Sequence, residues 1–370
     1  MVHKRHLVMQ SGRTAKRGQP PVSGFEPRFA MIAIGTLPHA DAEQACRLAL
    51  DTFGEVAAWP QLPSLGFREN MYAQYSEGMP GIKVDAAAKR MWFQVDDAFT
   101  GELEDFYQAV IEEDLDRFAM SRDFAAGLAL FLDGTFAAEL AERPFLKGQV
   151  TGPISFGLTV TDQDKRASLY NETLEQVIVK ALTLKGKWQS RQLAGAAPGA
   201  KVIMFYDEPY LHSVGSALIS VSREQVVGEI KECLEGCGAD ITGVHCCGNT
   251  DWSMVFATGV DVVHFDAYEY MEPFVAYDGE IAEHLGRGGS IAWGIVPKDE
   301  TVFKVSCEDL ESRLEGAFDM LEARGLDRET LAARALVSPS CGLGPATVEV
   351  AERALRLTAE VSAAMRDRYF

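Results

Sequence analysis

No stretch of this chain is apolar for long enough to span a bilayer, which takes about 20 consecutive apolar residues. Positive charge is also scarce: 35 Lys and Arg stand against 54 Asp and Glu, a formal net charge of −19. Phosphate contacts need clustered Lys and Arg, so this balance argues against nucleic acid as the partner. The cysteine count is seven, an odd number, and the first residues lack the apolar core of a secretory signal. Those absences argue against a disulfide framework and for reduced thiols in a cytoplasmic setting. Internal repeats and low-complexity linkers are missing too, so 370 residues read as one large barrel or two ordinary domains.

What is present is alternation. Residues 1–28 carry Lys4, Arg5, Arg13, Lys16 and Arg17 with few apolar side chains, and read as a disordered basic tail. From Phe29 to Phe370, short β-rich runs alternate with longer helical ones, the pattern of parallel strands with helices outside. The expected strands are Phe29–Ile34, Val56–Trp59, Lys147–Thr151, Lys201–Tyr206, Asp240–His245, Asp261–Asp266, Ser290–Val296 and Ala335–Ser338. Helix starts are expected at Asp41, at Ser222 (a capping box with Gln225) and at Ser306, the last helix stopping at Gly325. The fold class is therefore α/β, a (β/α)8 TIM barrel over 29–370. Pro60 to Arg143 is longer than one βα unit needs, and Ile82–Asp85 with Arg90–Val95 reads as a β-hairpin insertion after strand two.

TIM barrels place their chemistry at the C-terminal ends of the strands. His245 and Cys247 end strand five and, two residues apart, can face one point while Cys246 faces away. An imidazole and a thiolate converging there suit zinc, and Glu269 after strand six and Cys341 after strand eight offer two more ligands. Taken alone, His-x-Cys is a weak signal, better explained by a half-buried His beside a small thiol. Four ligand-type residues at three strand ends are harder to dismiss, although a structural zinc remains an alternative. Cys46, Cys233, Cys237, Cys246 and Cys307 are expected to pack, and His264, inside a strand, to be a satisfied core histidine. Asp207, ending strand four, reads either as a loop acid or as a carboxylate for a substrate cation. At the end of strand one, Gly35 allows close approach to the backbone and Thr36 offers a hydroxyl.

Together, Ile34-Gly-Thr-Leu-Pro38, Thr151-Gly-Pro153, Asp207-Glu-Pro209, His245-x-Cys247, Glu269 and Pro339-Ser-Cys-Gly-Leu343 resemble the catalytic barrel of cobalamin-independent methionine synthase. That barrel shares a superfamily with uroporphyrinogen decarboxylase and with methylcobalamin-dependent thiol methyltransferases. The resemblance runs from strand one to strand eight. It implies that His245, Cys247, Glu269 and Cys341 bind Zn²⁺ as the catalytic centre. It also implies that Ile34, Gly35, Thr36 and Asp207 hold the amino-acid part of homocysteine. The chain is barrel-sized, so it is similar to a short core form lacking the synthase's additional barrel. Folate-using members carry a His before the Pro of strand seven, where Trp293-Gly-Ile-Val-Pro297 offers Ile295 or Val296. They also place an acid after strand two, where Gln61 stands in this chain. The expectation is a cytoplasmic zinc-dependent methyltransferase moving a methyl group from methylcobalamin or a protein-bound corrinoid to homocysteine, with no membrane or nucleic-acid partner. Alternatives are another thiol such as coenzyme M, a decarboxylase or tetrapyrrole-binding member of the fold, and a non-catalytic zinc-stabilised module.

Overall fold

A computed structural model describes residues 25–216 and 219–370. Eleven strands run in chain order: β1 (Ala30–Met31), β2 (Val56–Ala58), β3 (Ile82–Asp85), β4 (Arg90–Phe93), β5 (Phe145–Thr151), β6 (Thr161–Asp162), β7 (Lys201–Asp207), β8 (Ile241–Cys246), β9 (Val262–Phe265), β10 (Ser290–Val296) and β11 (Ala335–Pro339). Eight of them form one sheet in the order β1-β11-β10-β9-β8-β7-β5-β2, every neighbouring pair parallel. The gap between β1 and β2 is bridged by Thr36 and Gln61, with Leu37 N–H donating to the Gln61 carbonyl at 2.9 Å. These are the eight strands expected from the sequence, and they make the TIM barrel. The first is shorter than expected at both ends: Arg28 and Phe29 have φ of 46° and 62°, so the ladder begins only at Ala30, and it ends at Met31.

Alternation sorts the strand residues into two cores. One set of alternate positions (Ala30, Ile32, Val56, Ile203, Phe205, Ile241, Val262, Ala292, Leu336) packs together inside the barrel. The other set, including Met204, Tyr206, Val244, Val263, Trp293 and Val337, packs outward against the helices. The inward parity carries on toward the C-terminal mouth as Lys147, Gln149, Asp207, His245, His264, Gly294 and Ser338. Polar groups thus cap an apolar interior, which is where a site belongs in this fold.

Phe25 joins the inner cluster, is 4% exposed, and meets Phe145 at 5.2 Å between ring centroids. The tail expected over 1–28 therefore gives up Phe25 to Arg28 to the folded unit, and its residues 1–24 lie outside the described residues.

The insertion after strand two is confirmed. β3 and β4 pair antiparallel from Ile82↔Phe93 to Asp85↔Arg90, and β6 adds a parallel third strand. The same region supplies helix Asp97–Glu112. Asp41 and Ser222 cap their helices as expected, accepting from Gln44 N–H and Gln225 N–H. The reciprocal capping box is at Ser306 and Asp309. Gln225 has turned its side chain to Glu175 and Glu229, so Ser222 caps alone. The helix opened by Ser306 runs Cys307–Glu322, three residues short of Gly325.

Candidate metal centre and acceptor cavity

Three of the expected ligands converge. A donor atom from each of His245, Cys247 and Cys341 lies within 4.8 Å of the other two. β8 delivers His245 on its inward parity, and Cys247 follows two residues on. Cys341 arrives from the loop after β11, its Sγ 3.6 Å from His245 Nε2. Of the seven thiols, burial pushes Cys46 and Cys246 up to about 12 and Cys237 up to about 11. Cys247 alone is drawn down, first by a hydrogen bond from the Cys341 thiol and then by His245 and Lys298. Cys341 is pushed up by the same hydrogen bond and by burial. The opposite shifts have one common cause, the hydrogen bond between the two sulfurs, and a metal bound by both would take the place of its proton.

Glu269 does not join them. It lies exposed in the first turn of helix Ala267–Val275, where its N–H is capped by Asp266 Oδ1 at 3.0 Å. Strand β9 ends at Phe265, so the residue at the strand end is Asp266, which is 1% exposed and paired to Lys298 at 3.1 Å. The sequence could have shown this, because Asp266 shares the inward parity of His264 and Glu269 does not. Lys298 was missed altogether. It follows β10 and faces Cys341, Asp266 and Cys247, which together outweigh burial and raise its pKa.

The donor set fits zinc on its own chemistry. One imidazole nitrogen and two sulfurs are the borderline-soft ligands Zn²⁺ takes, and three protein ligands leave one tetrahedral corner open. The site opens into a cavity of about 370 Å³ lined by Ile34, Thr36, Gln61, Asp207 and the three ligands, among others. Four of the five expected acceptor-binding residues are therefore on its wall. Gly35 is the exception. Its φ is +126°, and a Cβ there would lie 2.9 Å from the Gln149 side chain, so the glycine makes room for Gln149 and not for a ligand.

Asp207 is 5% exposed, and its Oδ1 is buried with no hydrogen-bond partner among the described residues. Burial raises its pKa, against the pull of His245 and Lys147. Lys147, fully buried below it, is spoken for by the Ile34 carbonyl at 2.7 Å and Gln149 Oε1 at 3.1 Å. Its neighbour Glu208 faces the other way and anchors helix Pro153–Thr159 through Ile154 N–H, Ser155 N–H and Ser155 Oγ. Gln61 is saturated: its Oε1 accepts from Thr36 Oγ1, and its Nε2 donates to Gln74 Oε1 at 2.8 Å and Tyr75 Oη at 3.0 Å. Glu69, a wall acid the sequence reading missed, accepts from Leu62, Gln74 and Ala126, and burial lifts it to about 7.

Behind the ligands lies a second imidazole. His245 Nδ1 meets His264 Nδ1 at 2.7 Å, and His264 Nε2 meets Ser338 Oγ at 2.8 Å. Burial holds His264 neutral, with its pKa well below the ordinary value, so it is the satisfied core histidine expected.

No protein-family model and no curated protein matches this chain. Solved structures do. It is similar to a methyltransferase from Methanosarcina mazei, with TM-score 0.53, 13% identity, and 90% of this chain and 87% of that one covered. It is also similar to a protein described as a vitamin-B12-independent methionine synthase from Listeria monocytogenes (TM-score 0.51, 12% identity, 87% and 85% covered). A B12-independent methionine synthase from Shewanella sp. W3-18-1, in complex with selenomethionine, matches at TM-score 0.46 and 18% identity over 65% and 67%. At these identities the Methanosarcina and Listeria likenesses establish the architecture: the chain folds as the (β/α)8 barrel seen in those structures.

Proposed function

We propose that this chain is a zinc-dependent thiol methyltransferase that accepts a methyl group from a methylcorrinoid, free or on a corrinoid protein, and delivers it to homocysteine. The observation that carries the reading is the meeting of His245, Cys247 and Cys341 within 4.8 Å at the mouth of the barrel, beside the unpartnered buried oxygen of Asp207. Zn²⁺ held by those three residues supplies the acidity that keeps an acceptor thiol as the thiolate near neutral pH.

The chain's own residues do the rest. Asp207 accepts from the acceptor's ammonium; support comes from its place in the cavity wall and from the lack of any partner on its Oδ1 among the described residues. The Thr36 and Ile34 wall shapes the space beside it. Glu269 is replaced in this reading by an open corner for the substrate sulfur, with Asp266 and Lys298 at the rim. Ile295 and Val296 are both buried and carry no proton, and the Lys298 ammonium is committed to Asp266. A folate nitrogen needs a proton to leave, and such general acids contribute roughly 10²–10⁴-fold. A methyl–cobalt bond leaves as reduced cobalt and needs none, which favours the corrinoid.

The test is a side-by-side assay of zinc-loaded protein with methylcobalamin or methyltetrahydrofolate as sole donor and homocysteine as acceptor. Methionine should form with the corrinoid. A folate rate equal to or above it overturns the donor, and no methylation of homocysteine or any other thiol overturns the reaction class.

A further inference from the structure

The proton on a histidine decides which nitrogen is free to bind a metal, and the structure holds enough hydrogen bonds to decide it for His245. Ser338 stands at one end of the chain of bonds. Its single O–H donates to the Pro339 carbonyl at 2.9 Å. Its oxygen is then left to accept, and the partner at 2.8 Å is His264 Nε2, which must be the N–H donor. A neutral imidazole carries one N–H, so His264 Nδ1 is bare and accepts. The atom it meets at 2.7 Å is His245 Nδ1, which must therefore carry the hydrogen. That leaves His245 Nε2 as a lone pair, and Nε2 is the nitrogen 3.6 Å from Cys341 Sγ.

The relay crosses four adjacent strands and climbs two residues on the way, since His264 is in register with Ala292 of β10 and Ser338 with Gly294. His245 on β8 is the register partner of His264 on β9. Ser338 on β11 is the register partner of Gly294 on β10. Gly294 is what lets the His264 ring pass over β10. A Cβ there would stand 3.2 Å from His264 Cε1 and 2.4 Å from the Phe265 carbonyl oxygen. The ring planes of the two histidines meet edge-on, at 73° with centroids 4.6 Å apart.

We infer that His264 is the positioning residue of the metal centre: held by Ser338, it fixes His245 in the tautomer whose Nε2 faces Cys247 and Cys341. The inference rests on the zinc site proposed above. Outer partners of ligating histidines typically govern metal affinity by about 10–100-fold.

Two readouts test it. In metal-free wild-type protein near pH 8.5, roughly two units above the ordinary imidazole value, long-range ¹H–¹⁵N correlation should show His245 as the Nδ1–H tautomer and His264 as the Nε2–H tautomer. The reverse assignment overturns the inference. Zinc affinity by chelator competition should weaken about 10–100-fold in His264→Leu and in Ser338→Ala. It should return to within a few-fold of wild type in His264→Gln, whose amide offers an acceptor and a donor. Wild-type affinity in both His264→Leu and Ser338→Ala overturns the positioning role. Ser338→Ala removes only a hydroxyl and decides the matter if His264→Leu fails to fold. A wild-type chain that binds no zinc removes the metal reading, while the tautomer spectrum still confirms or overturns the relay.

Discussion

Asp207→Asn should make the ligand-free protein more stable and its acceptor binding worse. The carboxylate is 5% exposed with one oxygen buried and unpartnered, and Lys147, the nearest cation in the barrel, donates elsewhere. An unsatisfied buried polar group costs about 1–3 kcal/mol, more when charged. Asparagine removes the charge at nearly the same volume. The ligand-free variant should therefore gain about 1–2 kcal/mol, seen as a rise in Tm of up to a few degrees. The same carboxylate lines the cavity and, in the proposed reaction, accepts from the substrate ammonium. A hydrogen bond between charged groups is worth about 1.5–3 kcal/mol, so the homocysteine KM should rise roughly 10- to 150-fold. Zinc content should stay at the wild-type level, because Asp207 is not among the converging ligands. An acceptor thiol lacking the amine should be indifferent to the substitution. Thermal denaturation, metal analysis and steady-state kinetics on the two acceptors measure all four effects. An unchanged KM for homocysteine, or loss of zinc with the variant, refutes the role. A variant less stable than wild type refutes the claim that the carboxylate is an unsatisfied burden in the empty cavity.

Cys247→Ala and Cys341→Ala should each lose zinc strongly in metal analysis, while Glu269→Gln, altering an exposed helix residue, should retain it; zinc loss in the Glu269 variant alone would reverse the assignment. Lys185→Met should stabilise the protein at pH 7. Lys185 is fully buried in helix Glu172–Ala196, its ammonium donates to the Phe118 carbonyl at 3.4 Å, and burial, against a weaker pull from Glu77, lowers its pKa from 10.5 to about 8. That fall corresponds to roughly 3 kcal/mol, less about 1 kcal/mol for the lost hydrogen bond. Below pH 8 Lys185 is charged in both states and the full burden is present. Between about 8 and 10.5 only the unfolded chain keeps the proton, so wild-type stability rises relative to the variant and the gap in Tm should close. A gap that stays constant through pH 10 would show that Lys185 is not burdened by burial.

Local pattern carried far in this chain. Period-two alternation and turn signals marked all eight barrel strands, the hairpin and the helix starts at Asp41, Ser222 and Ser306, because strand and helix periodicity are written residue by residue. It also placed His245 and Cys247 on one face. The errors came where an element's end had to be located. Glu269, expected just after strand six, lies instead in the first turn of the next helix, and the carboxylate at the strand end is Asp266, which parity from His264 points to. The Ser222–Gln225 box failed because Gln225 found Glu175, 50 residues away, a partner no local pattern announces.

The sequence by itself determined the order of strands and helices, the inward parity of Asp207, His245, His264 and Ser338, and which residue types could ligate a metal. Only the tertiary structure decided which of them meet. Cys341 lies 96 residues from His245, and barrel closure alone brings its sulfur to 3.6 Å from that imidazole. Tertiary contacts then separate one thiol from six of identical chemistry: desolvation is the main cause that raises Cys46, Cys233, Cys237, Cys246 and Cys307, the hydrogen bond with Cys247 is the main cause that raises Cys341, and Cys247, with Cys341, His245 and Lys298 converging on it, is lowered. The same closure leaves Asp207 with a buried oxygen and no partner, and packs His264 between His245 and Ser338. Each of these is a property of distance and dielectric between residues far apart in the chain, and neither quantity exists until the barrel has formed.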